Sequence, residues 1–200
     1  KVFSQFNKLC PKRTIFTTNT STFLPSMIAE ATGRPDKFLA LHFHDVKVTN
    51  VVDIMPHPGT SKEAIQLVKD FALKTGQLPI MMEKEHSGYV FNYMLGALFT
   101  AALSLKTKNV ASIEDIDRAW MGVTHMLAGP FALMDGIGLD TMLSVTEYLA
   151  EANNDKYLRK HAQFIRGYVE KGHLGKKTKK GFYDYPNPAF TQPEFLKGIE

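Results

Sequence analysis

Among the 200 residues there is one cysteine, Cys10, and one tryptophan. A single thiol excludes an internal disulfide and fits a reducing compartment. Charge of neither sign dominates. The net charge is +4, too small an excess to argue for nucleic acid, and much of it sits near the end, in Lys176, Lys177, Lys179 and Lys180. That lysine cluster reads equally as a solvated tail or as an anion contact. Long apolar runs are missing too. The strongest candidate, residues 89–105, is interrupted by Asn92, Thr100 and Ser104, so a membrane partner is not expected and a buried helix, central to a bundle or a subunit interface, is. There is no CxxC pair, no nucleophile elbow, no phosphate-binding lysine loop and no internal repeat. Gly136-x-Gly138 lacks a third glycine and lies among helical segments, so it is no dinucleotide fingerprint. No signal peptide precedes the first expected strand, and a cytoplasmic protein is expected. The first residue is Lys1, and the opening segment reads like the middle of a domain, so a piece of a longer protein is expected.

What is present is a globular composition, with 44% hydrophobic and 22% charged residues. Helical spacing of Val2, Phe3, Phe6 and Leu9 predicts a helix over residues 2–10. Residues 14–18, TIFTT, read as a strand. Ser21 or Thr22 could cap a helix over 23–31 that holds Pro25 in its first turn. Strands follow in 38–43 and 51–54. Ser61 caps a helix over 62–75 whose apolar side is Ala64, Ile65, Leu67, Val68, Phe71 and Ala72, and Leu78-Pro79-Ile80-Met81-Met82 reads as an edge strand. From residue 85 onward the pattern is helical throughout. The order implies an α/β sheet, expected to be cut off at its front, followed by an all-α domain.

Residues 38–60, FLALHFHDVKVTNVVDIMPHPGT, concentrate the chemistry. Alternation on a strand puts His42 and His44 on one face and Leu41 and Phe43 on the other. Three readings remain open for His42, His44, Asp45, Asp53 and His57. They are hydrogen-bonded polar groups at a strand end, ligands of a metal, or a general base with a carboxylate that orients it.

Five pieces, in order, carry a resemblance: Asn19-Thr20-Ser21, Leu41-His42-Phe43, Ser87-Gly88-Tyr89-Val90-Phe91-Asn92, residues 128–140 (AGPFALMDGIGLD), and Gly175-Lys176-Lys177-Thr178 with the following Gly-Phe-Tyr. Together they resemble the 3-hydroxyacyl-CoA dehydrogenases, including the bacterial 3-hydroxybutyryl-CoA enzymes. The resemblance implies the end of a Rossmann-type NAD-binding domain in residues 1–84, without its glycine-rich loop, and a helical dimerisation and substrate domain in 85–200. It implies NAD as cofactor, (S)-3-hydroxyacyl-CoA as substrate and a homodimer through the helical domain, with the fragment alone inactive.

Residue by residue, the resemblance gives His42 as the catalytic base, Ser21 as a contact to substrate and cofactor, and Asn92 as holder of the substrate oxygen. Asn19 would lie at the cofactor, and Lys177 would reach the dinucleotide. Two positions depart from the family pattern. Asp53 stands for the usual glutamate, one carbon shorter and one residue closer, and His44-Asp45-Val46 replace Phe-Asn-Pro. Asp45 would put a carboxylate near the nicotinamide and favour its oxidised, cationic ring. The rivals are a metal-dependent hydrolase on His42, His44 and Asp53, a non-catalytic helical dimerisation module, and, within the family, a carnitine or sugar-acid dehydrogenase.

Overall fold

The computed structural model describes residues 2–21 and 23–197. Thr22, the alternative cap, lies outside them. The chain forms two compact units, residues 1–94 and 95–200.

Unit 1 is a four-stranded sheet with helices. Helix α1 (Val2–Leu9) leads to β1 (Phe16–Thr18), a short helix α2 (Ser26–Ala29) and a 3-10 turn, Glu30–Thr32. Then come β2 (Phe38–Phe43), β3 (Val51–Pro56), α3 (Lys62–Lys74) and β4 (Leu78–Met81). The strand order is β1-β2-β3-β4. The outer pairs are parallel and the central pair is antiparallel, with β4 on the edge where Pro79 costs no central ladder bond.

Side-chain alternation divides the sheet into two faces. Leu39, Leu41, Val52 and Ile54 pack with Val68 and Ala72 of α3. Ala40 and Met55 point the other way, against Tyr89. Ser61 caps α3, its side chain accepting from the Ala64 N–H. Only Ala64, Val68 and Ala72 of α3 are buried, whereas Leu67 and Phe71 stay about half exposed, so its apolar side is wider than the sheet covers.

Two expectations change here. The helix over 23–31 shrinks to α2, because the Phe23 N–H turns back to Thr20 Oγ1 and Pro25 becomes the cap residue. Ser21 is therefore no helix cap. The free Ser26 N–H is instead met by Glu85 Oε1 at 2.6 Å.

Arg34, between Gly33 and Pro35, is buried. Its guanidinium donates to the carbonyls of Asn7, Cys10, Pro11 and Thr14 and to Asn7 Oδ1, closing the end of α1, and it lies 4.5 Å over the Phe16 ring. Arg34→Lys keeps the charge and loses the planar fork. It is expected to lower the unfolding free energy by about 2 kcal/mol in urea titration followed by circular dichroism, and an unchanged midpoint would show that the fork does not matter.

Unit 2 is helical. The boundary falls inside α4 (Phe91–Thr107), which is followed by α5 (Ile113–Thr124), α6 (Pro130–Ile137), α7 (Leu139–Ala152) and α8 (Lys156–Val169). The core gathers Phe99, Leu103, Phe131, Met134, Leu139 and Ile165. Of α4, expected to be buried, only Phe99, Ala102 and Leu103 are.

Two buried carboxylates organise this core. Helix α6 begins on Gly129-Pro130, which offers no side-chain cap. Asp117 of α5 takes over that role, accepting from Phe131 N–H at 2.9 Å, Ala132 N–H at 3.0 Å and Tyr183 O–H at 3.0 Å. Position 129 must be glycine, since a Cβ there would stand 2.4 Å from Asp117 Cγ. Asp135 in turn accepts from the Phe182 and Tyr183 N–H groups and from Tyr185 O–H, pinning the tail. A Cβ on Gly181 would come within 2.1 Å of Asp135 Oδ1. Burial pushes the Asp117 carboxyl up to about 6 and the Asp135 carboxyl up as well, against the hydrogen bonds that hold their anions.

Candidate active site

The centre of unit 1 is one rung of the antiparallel ladder, in which His42 pairs with Asp53 across β2 and β3. Both side chains leave the sheet on the Ala40 and Met55 face and are buried. His42 Nδ1 lies 3.1 Å from Asp53 Oδ2, and His42 Nε2 lies 3.0 Å from Ser21 Oγ. An ionised carboxylate only accepts, so Nδ1 carries the proton and Nε2 offers its lone pair to the serine hydroxyl. The reach of the shorter aspartate is thus sufficient, because direct cross-strand pairing brings it close.

Ser21 follows β1. Asn19, two residues earlier, accepts from the Phe43 N–H at 2.8 Å, tying the end of β1 to the end of β2. These strands are parallel, so Asn19, Ser21 and His42 gather at the same carboxyl edge.

Tyr89, expected at the head of the apolar helix, instead covers the imidazole. Its ring stacks on His42 with centroids 4.3 Å apart and planes 10° from parallel. Its hydroxyl donates to the Thr20 carbonyl at 2.6 Å. Burial, then the charge of Asp53, pushes the phenol up to about 12, so it remains a neutral donor. The backbone at Tyr89 has a φ of 52°, beside Gly88 at 84°, a turn that aims the ring before α4 begins. Its signal in the sequence was the Ser87-Gly88 pair.

His44, two residues past His42 on the same face, also reaches Asp53, with Nε2 3.0 Å from Oδ2. The direction is wrong for a hydrogen bond, and this nitrogen, shut off from solvent, has none among the described residues. Phe91 meets the His44 ring edge-on at 5.6 Å.

Of the remaining candidates, Asp45, Asn92 and His57 make no hydrogen bond to this cluster among the described residues. Asp45 is exposed in the loop after β2, where Oδ1 accepts from the Lys47 N–H at 3.0 Å. Asn92, in the first turn of α4, is half-buried, and its amide makes no hydrogen bond among the described residues. Lys177, in unit 2, places Nζ 2.6 Å from both carboxylate oxygens of Asp140 and lowers the pKa of that carboxyl. His57 accepts the Gly59 N–H at Nδ1 and lies 2.9 Å from the Pro35 carbonyl at Nε2, so it stiffens the loop after β3.

A buried carboxylate, an imidazole of fixed tautomer and a hydroxyl at its free nitrogen make a proton-accepting relay at the carboxyl edge of parallel strands. Residues 1–86 match the family model described as 3-hydroxyacyl-CoA dehydrogenase, NAD binding domain, and residues 88–185 match that of the 3-hydroxyacyl-CoA dehydrogenase C-terminal domain. The chain belongs to the 3-hydroxyacyl-CoA dehydrogenases.

A probable 3-hydroxybutyryl-CoA dehydrogenase of Bacillus subtilis is 35% identical over 187 residues, which is 92% of this chain and 64% of that protein. The mitochondrial hydroxyacyl-coenzyme A dehydrogenase of Homo sapiens is 33% identical, over 92% of this chain and 59% of the relative. Among solved structures, a diketoreductase superposes with a TM-score of 0.85 at 39% identity, over 92% of this chain and 64% of that one. The (S)-3-hydroxybutyryl-CoA dehydrogenase of Ralstonia eutropha superposes with a TM-score of 0.82 at 32% identity, over 93% and 65%. The chain therefore spans about three fifths of the length of the curated relatives it matches. No helix among the described residues is long and apolar enough to cross a membrane.

Proposed function

We propose that the protein, at the length of its relatives, oxidises (S)-3-hydroxyacyl-CoA to the 3-keto thioester, reversibly, with His42 as general base. The observation that carries this reading is the Ser21–His42–Asp53 relay, with contacts of 3.0 and 3.1 Å. The carboxyl edge of the parallel strands β1 and β2, bearing Asn19 and Ser21, suits a dinucleotide, which lies outside such strand ends. NAD, when bound, supplies the acceptor for the substrate hydride.

The chain's own residues do the rest. The Ser21 hydroxyl orients the substrate hydroxyl toward His42 Nε2, which takes its proton, while Asp53 holds Nδ1–H and stabilises the imidazolium. The unpaired Asn92 amide positions the substrate oxygen. Lys177 exchanges the Asp140 carboxylate for an anionic group of the dinucleotide, and Asp45 favours the oxidised, cationic ring. A homodimer forms through the helical unit, where Leu105, Val123, Met126 and Leu127 are exposed.

A second reading, favoured by the 39% identity to a diketoreductase, keeps the same proton chemistry with a substrate that is not a CoA thioester. Consumption of NADH with acetoacetyl-CoA and with a free diketone separates the two. The thioester is expected to give at least about tenfold higher kcat/KM. A preference for the free diketone would transfer the assignment, and turnover of neither would end both.

A further inference from the structure

We infer that His42, His44 and Asp53 form a binding site for a borderline divalent cation of the zinc class, and that its occupation switches the base off. One ligand atom from each of the three residues lies within 4.8 Å of the other two, the only such group of three among the described residues. His42 Nδ1 and His44 Nε2 stand 3.1 and 3.0 Å from the same carboxylate oxygen. A four-coordinate zinc-like ion with bonds of about 2.0–2.2 Å separates its donors by about 3.3 Å, so small side-chain movements suffice. Two imidazoles and one carboxylate are the donor types such an ion takes.

The second observation is the state of His44. Its Nε2 is shut off from solvent and faces Asp53 at hydrogen-bond distance, yet it makes no directed bond among the described residues. A buried nitrogen held this way is costly unless something else uses it, and a cation held among the three ligand atoms would use it. The ring is held there by the edge of Phe91 and stands at 81° to His42, so the two imidazoles converge on the carboxylate from different directions.

The consequence follows from the tautomer. A neutral imidazole has one lone pair. In the relay Nδ1 keeps the proton, donating to Asp53, and Nε2 is free to accept. A cation on Nδ1 takes that lone pair, the ring proton moves to Nε2, and the nitrogen facing Ser21 becomes a donor that cannot take a hydroxyl proton. No net charge leaves the ring, and Asp53 becomes a ligand instead of a partner. This inhibitory outcome rests on His42 being the base proposed above, whereas the binding itself does not.

The test uses the purified, metal-stripped chain. Titration with Co2+ is expected to give the visible absorption of four-coordinate cobalt, saturating at about one equivalent and displaced by Zn2+. His44→Phe should weaken binding by at least about tenfold, while His86→Gln, at an exposed histidine, leaves it unchanged. Nitrogen-15 spectra of the wild-type imidazoles give a reading independent of any variant's folding. Zn2+ should move His42 and His44 and place a proton on His42 Nε2. Absence of saturable binding, equal affinity in His44→Phe, or shifts confined to the other histidines would overturn the inference. None of these readouts involves turnover, so such a failure leaves the base role of His42 standing, and loss of that role leaves the metal measurement intact.

Discussion

Replacing His42 with alanine, in the protein at the length of its relatives, is expected to lower kcat by about 10³-fold while NADH affinity changes less than about twofold. The asymmetry follows from position. The imidazole touches Ser21 and Asp53 and lies under Tyr89, and its proposed work is to receive a proton, not to hold the dinucleotide. Asp53→Asn is expected to be nearly as damaging. An asparagine turned to donate its N–H to Nδ1 would drive the ring proton onto Nε2, leaving a histidine in the right place with the wrong nitrogen free. Rapid-quench turnover and equilibrium binding of NADH by fluorescence separate these effects. A His42→Ala protein with more than about a tenth of normal turnover would remove the base assignment.

The second large effect concerns the helical unit. Asp117→Ala leaves the Phe131 and Ala132 N–H groups and the Tyr183 hydroxyl without their buried acceptor. An expected loss of about 4 kcal/mol of unfolding free energy at about pH 4 follows, and it depends on pH. Burial raises the folded pKa of Asp117 from 3.8 to about 6, so the folded state favours the protonated acid. That stabilisation is complete below the unfolded pKa and disappears as pH rises through the folded one. Wild type therefore loses about 2 kcal/mol relative to the alanine variant between about pH 4 and pH 7. Urea unfolding of both proteins across that range, followed by the fluorescence of Trp120 in α5, reads the difference. A gap that widened toward neutral pH would show that the hydrogen bonds outweigh desolvation.

Much of the fold could be read from local pattern. The two strands around His42, the capped α3 and the edge strand with Pro79 all stand where periodicity and capping residues put them. In these segments local preference and tertiary packing agree. The misses share a cause, which is partners far apart in sequence. Ser21 carries the composition of a helix cap, but its hydroxyl turns to a histidine 21 residues on. Asp117 lies within the stretch expected to be helical, and its role depends on a second helix that begins 13 positions later. Arg34 sits between Gly33 and Pro35, and nothing local marks the carbonyls it gathers. Tyr89 read as the first residue of an apolar helix, whereas its positive φ takes it out of that helix and over the imidazole. Of the candidate site, the residue types were visible beforehand and their mutual reach was not.

Because His42 and Asp53 share a rung of a hairpin, the number of residues joining them is free to drift over evolution. A loop that shortens alters the count along the chain, and the contact survives as long as an acid returns to the facing position on the correct side of the ribbon. An alignment that scores identity column by column would register the shift as a lost functional group, although the architecture has kept it.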